Sequence, residues 1–290
     1  MNHTFLLVSD IHYRLDNIEK LRKWLIEKDR LMEIDFVIVS GDLVNANYLT
    51  PLTTEKDREE FREVLSALEK LGKSVYYIPG NHDPDTSFLF SSDQGSVINL
   101  HNKIVQLTPG LSILGFGGST DGVLKNSPET VVWPACPSNT ESLFAEKLPT
   151  LLDQVKEDVI LVTHVGPAKI GTTNVEMFPL QEPSTSVEAG SPTIRKILES
   201  RSPLTPDSPP NCKVVVNIHG HSHYPFGLSH LGQTMIVNPG PLRDGRFSIL
   251  KLRQTIKENL LQTDEERGCF YRNSNSANFW ILEGLEFHFL

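Results

Sequence analysis

Ser74-Val75-Tyr76-Tyr77-Ile78-Pro79-Gly80-Asn81-His82-Asp83 is the stretch that decides the fold. A short run rich in apolar and aromatic residues stops at Pro-Gly, and side chains able to bind a cation follow at once. Two earlier stretches follow the same pattern: residues 4–10 (TFLLVSD) end on Ser9-Asp10, and residues 35–42 (DFVIVSGD) end on Gly41-Asp42. Apolar runs without polar alternation are buried on both faces, as in a parallel sheet covered on each side. Between the runs the apolar period becomes helical, with Leu15, Ile18, Leu21, Leu25 and Met32 in the first gap and Phe61, Val64, Leu65, Leu68 and Leu71 in the second. Thr54 and Asp57 have the spacing of a capping box ahead of the second helix. The order βαβαβ predicts an α/β fold built on a mostly parallel sheet.

Working outward, further strands are expected at Ile104–Leu107, Ser112–Leu114, Val159–Thr163, Lys213–Ile218 and Met235–Val237, and helices at Glu141–Val155 and Pro192–Glu199. The Pro- and Ser-rich stretches Pro128–Pro137, Met177–Ser191 and Ser202–Asn211 are expected to be irregular. After Leu252 the pattern stops. Thr255–Glu266 looks helical and polar, Gly268–Ala277 a loop and Phe279–Leu290 a terminal strand. The expected organisation is one domain over residues 1–252 with an extension, 253–290, packed on it.

The chain has 290 residues, 39% of them apolar and 22% charged. That is ordinary globular usage and argues against disorder. No apolar run approaches the ~20 residues that cross a bilayer, and Phe5–Val8 is too short for a signal peptide. Cys136, Cys212 and Cys269 are widely spaced and odd in number, which fits reduced thiols rather than a disulfide framework. The expectation is a cytoplasmic protein with no membrane partner; the sequence specifies no oligomeric state. A net charge of −9 argues against an extended nucleic-acid backbone as partner, although bound cations can dominate the local potential of a site.

The chemistry lies where the strands end. The first is followed by Asp10-Ile11-His12, the second by Asp42, the third by Asn81-His82-Asp83, a later one by His164, and another by Gly220-His221-Ser222-His223. In open α/β sheets ligands bind beyond the carboxyl ends of the strands, so five distant segments deliver oxygen and imidazole donors to one rim. The donor set of carboxylates, an amide and imidazoles suits Mn, Fe or Zn. It holds no Cys, which excludes a structural zinc knot. Asp10, His12, Asp42, Asn81, His164, His221 and His223 are too many ligands for one ordinary ion; two ions about 3.5–4 Å apart, bridged by a carboxylate, account for them. Gly41, Gly80 and Gly220 accompany the ligands where the backbone must approach closely. Each block alone has a plain reading as a cap, turn or rim histidine; their joint occurrence at strand ends is what points to a metal site. His3, His101, His230 and His288 lack that context and are read as surface or packing residues, and His219, adjacent to the last block, is expected on the opposite side of the strand from the neighbours of His221. Arg243 and Arg246, after the Asn238-Pro239-Gly240 turn, could fork a phosphate, and Asp121 and Trp133 are candidates to line a pocket.

The blocks SDIH, GDL, GNHD, THV and GHSH, in this order from Asp10 to His223, resemble the calcineurin-like metallophosphoesterase family. The resemblance implies a four-layer α/β/β/α sandwich with mixed sheets. It implies one metal on Asp10, His12, Asp42 and His223, and a second on Asp42, Asn81, His164 and His221. A water shared by the two cations would attack phosphorus, while His82 faces the phosphate and protonates the leaving oxygen. The second block reads GDLVNA and lacks the acidic and basic residues that follow it in the protein Ser/Thr phosphatases of the family. That departure disfavours a protein substrate and leaves Asp83 as the candidate partner of His82. The expectation is a phosphodiesterase for small phosphodiesters or nucleotides. A phosphomonoesterase is the nearest alternative, followed by a non-catalytic scaffold; a nuclease would need a basic groove.

Overall fold

The computed structural model describes residues 1–47, 53–84, 96–177, 185–201, 213–256 and 278–290. The opening βαβαβ unit forms as read: β1 (Asn2–Val8), α1 (Leu15–Glu27), β2 (Phe36–Val39), α2 (Glu55–Glu69) and β3 (Ser74–Tyr77). The Thr54 hydroxyl accepts the Asp57 N–H and Asp57 accepts the Thr54 N–H, so the capping box is real. Met32 departs from the expected stripe. It lies beyond α1 in a single 3-10 turn and is 81% exposed.

The remaining strands are β4 (Val97–Asn99), β5 (Lys103–Thr108), β6 (Leu111–Phe116), β7 (Gly122–Leu124), β8 (Ser127–Trp133), β9 (Asp158–Thr163), β10 (Asn174–Met177), β11 (Thr185–Glu188), β12 (Lys213–Ile218), β13 (Gly227–Leu231), β14 (Thr234–Asn238), β15 (Arg246–Ile256) and β16 (Asn278–Phe289), with helices α3 (Thr140–Gln154) and α4 (Pro192–Arg201). They assemble into two six-stranded sheets, ordered β16-β15-β1-β2-β3-β4 and β13-β14-β12-β9-β6-β5, and a small sheet, β10-β11-β7-β8. Both large sheets are mixed. The first has a parallel run β1-β2-β3-β4 that reaches one edge, with antiparallel β15 and β16 on the other side; the second has a parallel centre β14-β12-β9-β6 with one antiparallel strand on each flank.

Side-chain alternation along the central strands builds four layers. Leu6 and Val8 of β1, and Val37 and Val39 of β2, pack under α1 and α2 with Ile18, Leu21, Phe61 and Val64. Phe5, Leu7 and Ile38 point the other way and meet Ile160, Val162, Val216 and Ile218 of the second sheet. Val159, Leu161 and Val214 turn outward again, onto Phe144 and Leu148 of α3 and Ile194 and Leu198 of α4. Three cores between four layers make an α/β/β/α sandwich. Because period-2 alternation places one set on each face, a strand with both sets apolar must be covered on both sides.

Parallel register fixes where the chemistry falls. Val8 pairs with Val39 and Val39 with Tyr77, so three strands end level with one another. Val162 pairs with Ile218 in the facing sheet. The five blocks therefore leave both sheets at the same edge.

Three expectations are corrected. Residues 127–133 are a strand inside the stretch read as irregular, paired to β7; its burial pattern is largely exposed, so no apolar signature marks it. The division at 252 falls inside β15, which runs to Ile256 and pairs along its length with β16. β11 likewise occupies part of the expected 177–191 loop. The readings of 202–211, of 257–266 and of 268–277, and the states of Cys212 and Cys269, lie outside the described residues. Among the described residues no helix is long and apolar enough to cross a membrane.

β16 is tied in by more than its ladder. Trp280 is buried in the core between the sheets, its N–H donates to Asp158 Oδ2 (2.8 Å), and Arg30 forks the Glu286 carboxylate at 3.0 and 3.1 Å. Replacing Trp280 with Ala should cost about 3–5 kcal/mol, read from the urea midpoint at unchanged slope; a loss below about 1 kcal/mol would show that β16 is not part of the core.

Candidate metal centre

The ligand side chains emerge from strained backbone. Asp10 (φ 49°), His12 (φ 49°), Asp42 (φ 53°) and His221 (φ 65°) are all left-handed, a conformation that L-residues seldom adopt. Such strain costs about 1–3 kcal/mol per residue and persists where the surroundings over-determine it. Here the loops are locked together: the Asp10 N–H donates to Gly41 O and the His12 N–H to Asp42 O, both at 3.0 Å. Close approach explains the glycines. A Cβ on Gly41 would strike the His164 ring, one on Gly80 would strike Asp42, and one on Gly220 would strike Ser9 and Asp10.

Among the described residues two groups have ligand atoms mutually within 4.8 Å: Asp10, His12, Asp42 and His223, and Asp42, His164 and His221. Asp42 belongs to both. In the first, His12 Nε2 lies 3.2 Å from His223 Nε2 and 3.9 Å from Asp42 Oδ2, and His223 Nε2 lies 3.2 Å from Asp10 Oδ1. In the second, His164 Nε2 lies 3.3 Å from Asp42 Oδ2, and Asn81 Oδ1 is 3.1 Å from His164 Nε2 and 3.0 Å from His221 Nδ1. All seven residues read as ligands from the sequence thus come together.

Hydrogen bonds outside the groups fix which nitrogen points inward. Asn45 Nδ2 donates to the His12 carbonyl (3.0 Å), so its Oδ1 is left to accept from His12 Nδ1 (2.6 Å). His164 Nδ1 donates to the Ser40 carbonyl (2.7 Å). Each ring then presents a bare Nε2 lone pair to the centre, the second-sphere arrangement that suits a metal ligand. At His164 that lone pair faces two oxygens, from Asp42 and Asn81. Acceptors aimed at one another repel unless a cation lies among them, so this donor set fits divalent metal. Asn45 was not found from the sequence; it is one polar residue in a loop, and only its place beside His12 reveals its work. Ser40 acts through its carbonyl, which no side-chain pattern signals.

The electrostatics agree. Burial opposes the charge on Asp10 and Asp42, but His223 beside the first and His164 beside the second hold both carboxyls below the usual range. Burial would lower His164, yet Asp42 and Asp10 raise it to about 9. Burial pushes His221 down to about 3 and lowers His12. Without a cation, protons on His164 and His223 offset the two carboxylates while His12 and His221 stay neutral; bound cations would take the place of those protons.

His82 borders the first group. Its N–H donates to Asp42 Oδ1 (2.8 Å), and its ring packs edge-on to His12, with 5.3 Å between centroids. Asp83 lies beneath the site. It accepts from the amides of Leu43 (2.7 Å), Val44 (3.1 Å) and Gly80 (2.8 Å). These bonds clamp the Asp42 loop to the Asn81 loop and give Asp83 a structural task. His219 is buried against Thr172 (2.9 Å) and joins neither group. His3 stacks on Trp280, and His101 accepts the Gly117 N–H. Arg243 turns its guanidinium to Asp244 (3.5 Å), and Arg246 lies over the Phe226 ring. Asp121 accepts the Ala135 N–H (2.6 Å), and the Trp133 indole N–H donates to His221 Nε2 (3.2 Å).

A family model described as calcineurin-like phosphoesterase matches residues 3–225. The chain belongs to that family. Its members are metal-dependent phosphoesterases, and this chain carries candidate ligands for two ions. No curated protein matches it. Solved structures share the fold. One crystal structure is 20% identical, with a TM-score of 0.62 over 87% of this chain and 95% of the other. TT1561 of Thermus thermophilus is 16% identical, TM-score 0.54, over 86% and 94%. A dimetal phosphatase from Danio rerio is 12% identical, TM-score 0.55, over 86% and 92%.

Two outcomes test the geometry. His164→Ala should lose one bound metal per chain and Asp42→Ala should lose about two, measured by elemental analysis; equal losses would deny Asp42 the bridging place. Asp83→Ala strands three buried amides and should cost about 3 kcal/mol or more, seen in thermal unfolding. An Asp83→Ala protein as stable as wild type would refute the clamp.

Proposed function

We propose that the chain hydrolyses small phosphodiesters, with Asp10, His12, Asp42 and His223 holding one Mn, Fe or Zn ion, and Asp42, Asn81, His164 and His221 the other. The observation that carries this is the sharing of Asp42 by two complete donor groups with His82 at their border. A bound pair of such ions supplies a water of lowered pKa and neutralises charge on the phosphoryl oxygens.

The protein's own residues set the rest. The Asp42 carboxylate accepts the His82 backbone N–H and so fixes the backbone from which that imidazole reaches toward the ester, where it hands a proton to the departing oxygen. Asn45 and the Ser40 carbonyl keep His12 and His164 in the tautomer that faces inward. Asp83 holds the two loops in register.

Charge favours a diester. A monoester dianion brings one more negative charge, and the Arg side chains near the rim are engaged with Asp244 and Phe226. The acidic chain also suits a small substrate better than a polyanion.

The test is turnover with added Mn²⁺ on bis-(p-nitrophenyl) phosphate against p-nitrophenyl phosphate. The diester should be cleaved with the higher kcat/KM; a preference for the monoester would overturn the choice. His82→Ala should keep its metal and lose ~10²–10⁴-fold in kcat, whereas wild-type turnover in that variant would remove His82 from the mechanism.

A further inference from the structure

Trp133, the last residue of β8, meets the centre edge-on. Its indole N–H points at the outer nitrogen of His221 (3.2 Å), with ring centroids 5.9 Å apart and planes at 75°. Directly across the ladder stands Gly122 of β7. A Cβ on Gly122 would meet the indole Cε2 first, with its bonded neighbours Nε1 and Cζ2 only slightly farther away. That ordering places the point above the ring face, since a point beyond the edge would lie nearer the two neighbours. The glycine backbone therefore lies flat under the indole, the way an aromatic side chain covers a cross-strand glycine.

The hairpin that carries this ring is fastened on the far side of Trp133. Ser119 and Cys136 exchange two backbone hydrogen bonds (2.8 and 3.0 Å), and Asp121 accepts the Ala135 N–H. The indole is thus held by one face and by its fastened hairpin, and it is only half-buried, so part of its surface stays open beside a candidate metal ligand. A hydrogen bond to His221 alone would need neither a flat glycine seat nor an open ring.

We infer that Trp133 determines specificity: it stands beside His221, away from His82 and the departing oxygen, and is a fixed platform on which a planar aromatic group on the retained ester of the substrate phosphate stacks. The inference rests on the phosphoesterase reading above, and it names the substrate class as aryl or heteroaryl phosphoesters. An aromatic group joined to phosphorus through an ester oxygen extends far enough to meet a ring centred about one side chain from His221. A preorganised ring forfeits little entropy on stacking, and offset or edge contacts favour aromatic over alkyl partners.

Phenyl and methyl p-nitrophenyl phosphate test it, because they share a leaving group and differ in the retained ester. Trp133→Leu should lower kcat/KM for the phenyl ester about tenfold more than for the methyl ester, mostly through KM. Trp133→Phe, which keeps a ring but loses the N–H, should retain most of the preference. Gly122→Ala, which keeps the indole but displaces it, should lose it. A binding readout runs in parallel on the Zn²⁺-loaded protein by calorimetry. Phenylphosphonate should bind wild type more tightly than methylphosphonate, and Trp133→Leu should bind both alike. Equal falls for both esters would make Trp133 a positioning residue for His221 only and overturn the platform. So would an unchanged ratio, or wild type that binds neither phosphonate. Failure to cleave either diester, with the phosphonate preference intact, would overturn the diesterase reading and leave the platform standing.

Discussion

Mutual repulsion among lone pairs around Asp42 is the constraint on which the structure turns. Carboxylate, amide and imidazole groups are brought within hydrogen-bonding distance of each other, and without metal only protons held on His164 and His223 keep them from repelling. Packing in both sheets, four left-handed residues and three close-approaching glycines hold them there. A protein keeps such an arrangement only when positive charge offsets it, and two cations do so with one donor group each and Asp42 in common. The sandwich is the means: two parallel-centred sheets end at one edge, and their facing loops supply opposite halves of the ligand set.

The ligands were legible because each follows a strand whose burial on both faces leaves a bare apolar run. Val8, Val39, Tyr77, Thr163 and Ile218 end those runs, and the next polar residues had to fall at a common edge. The capping box at Thr54 was legible for a similar reason, since its chemistry is local. What escaped was non-local or exposed. β8 has a largely exposed burial pattern and a proline near its start, so neither period nor composition marks it. β15 and β16 pair with each other along an edge, and a boundary drawn at Leu252 cuts a continuous strand. Asn45 and the Ser40 carbonyl gain their meaning only from the ring nitrogens they meet. The task of Asp83 escaped as well, because its carboxylate accepts from the amides of Leu43, Val44 and Gly80, which no sequence pattern signals.

The two sides of the centre are finished differently. On the first-sheet side, Asn45, His82 and Asp83 surround the ligands with local loop contacts. On the second-sheet side, the outer nitrogen of His221 is met by a residue from the small sheet, Trp133, carried in from a separate hairpin. The metal chemistry is thus built into the sandwich, and the surface that meets the rest of the substrate is added to it.

The central claim is best tested by anomalous diffraction from crystals grown with Mn²⁺. The account predicts two anomalous peaks about 3.5–4 Å apart with the Asp42 carboxylate between them, one beside His12 and His223 and the other beside His164 and His221. A single peak, or two that do not share Asp42, would contradict it.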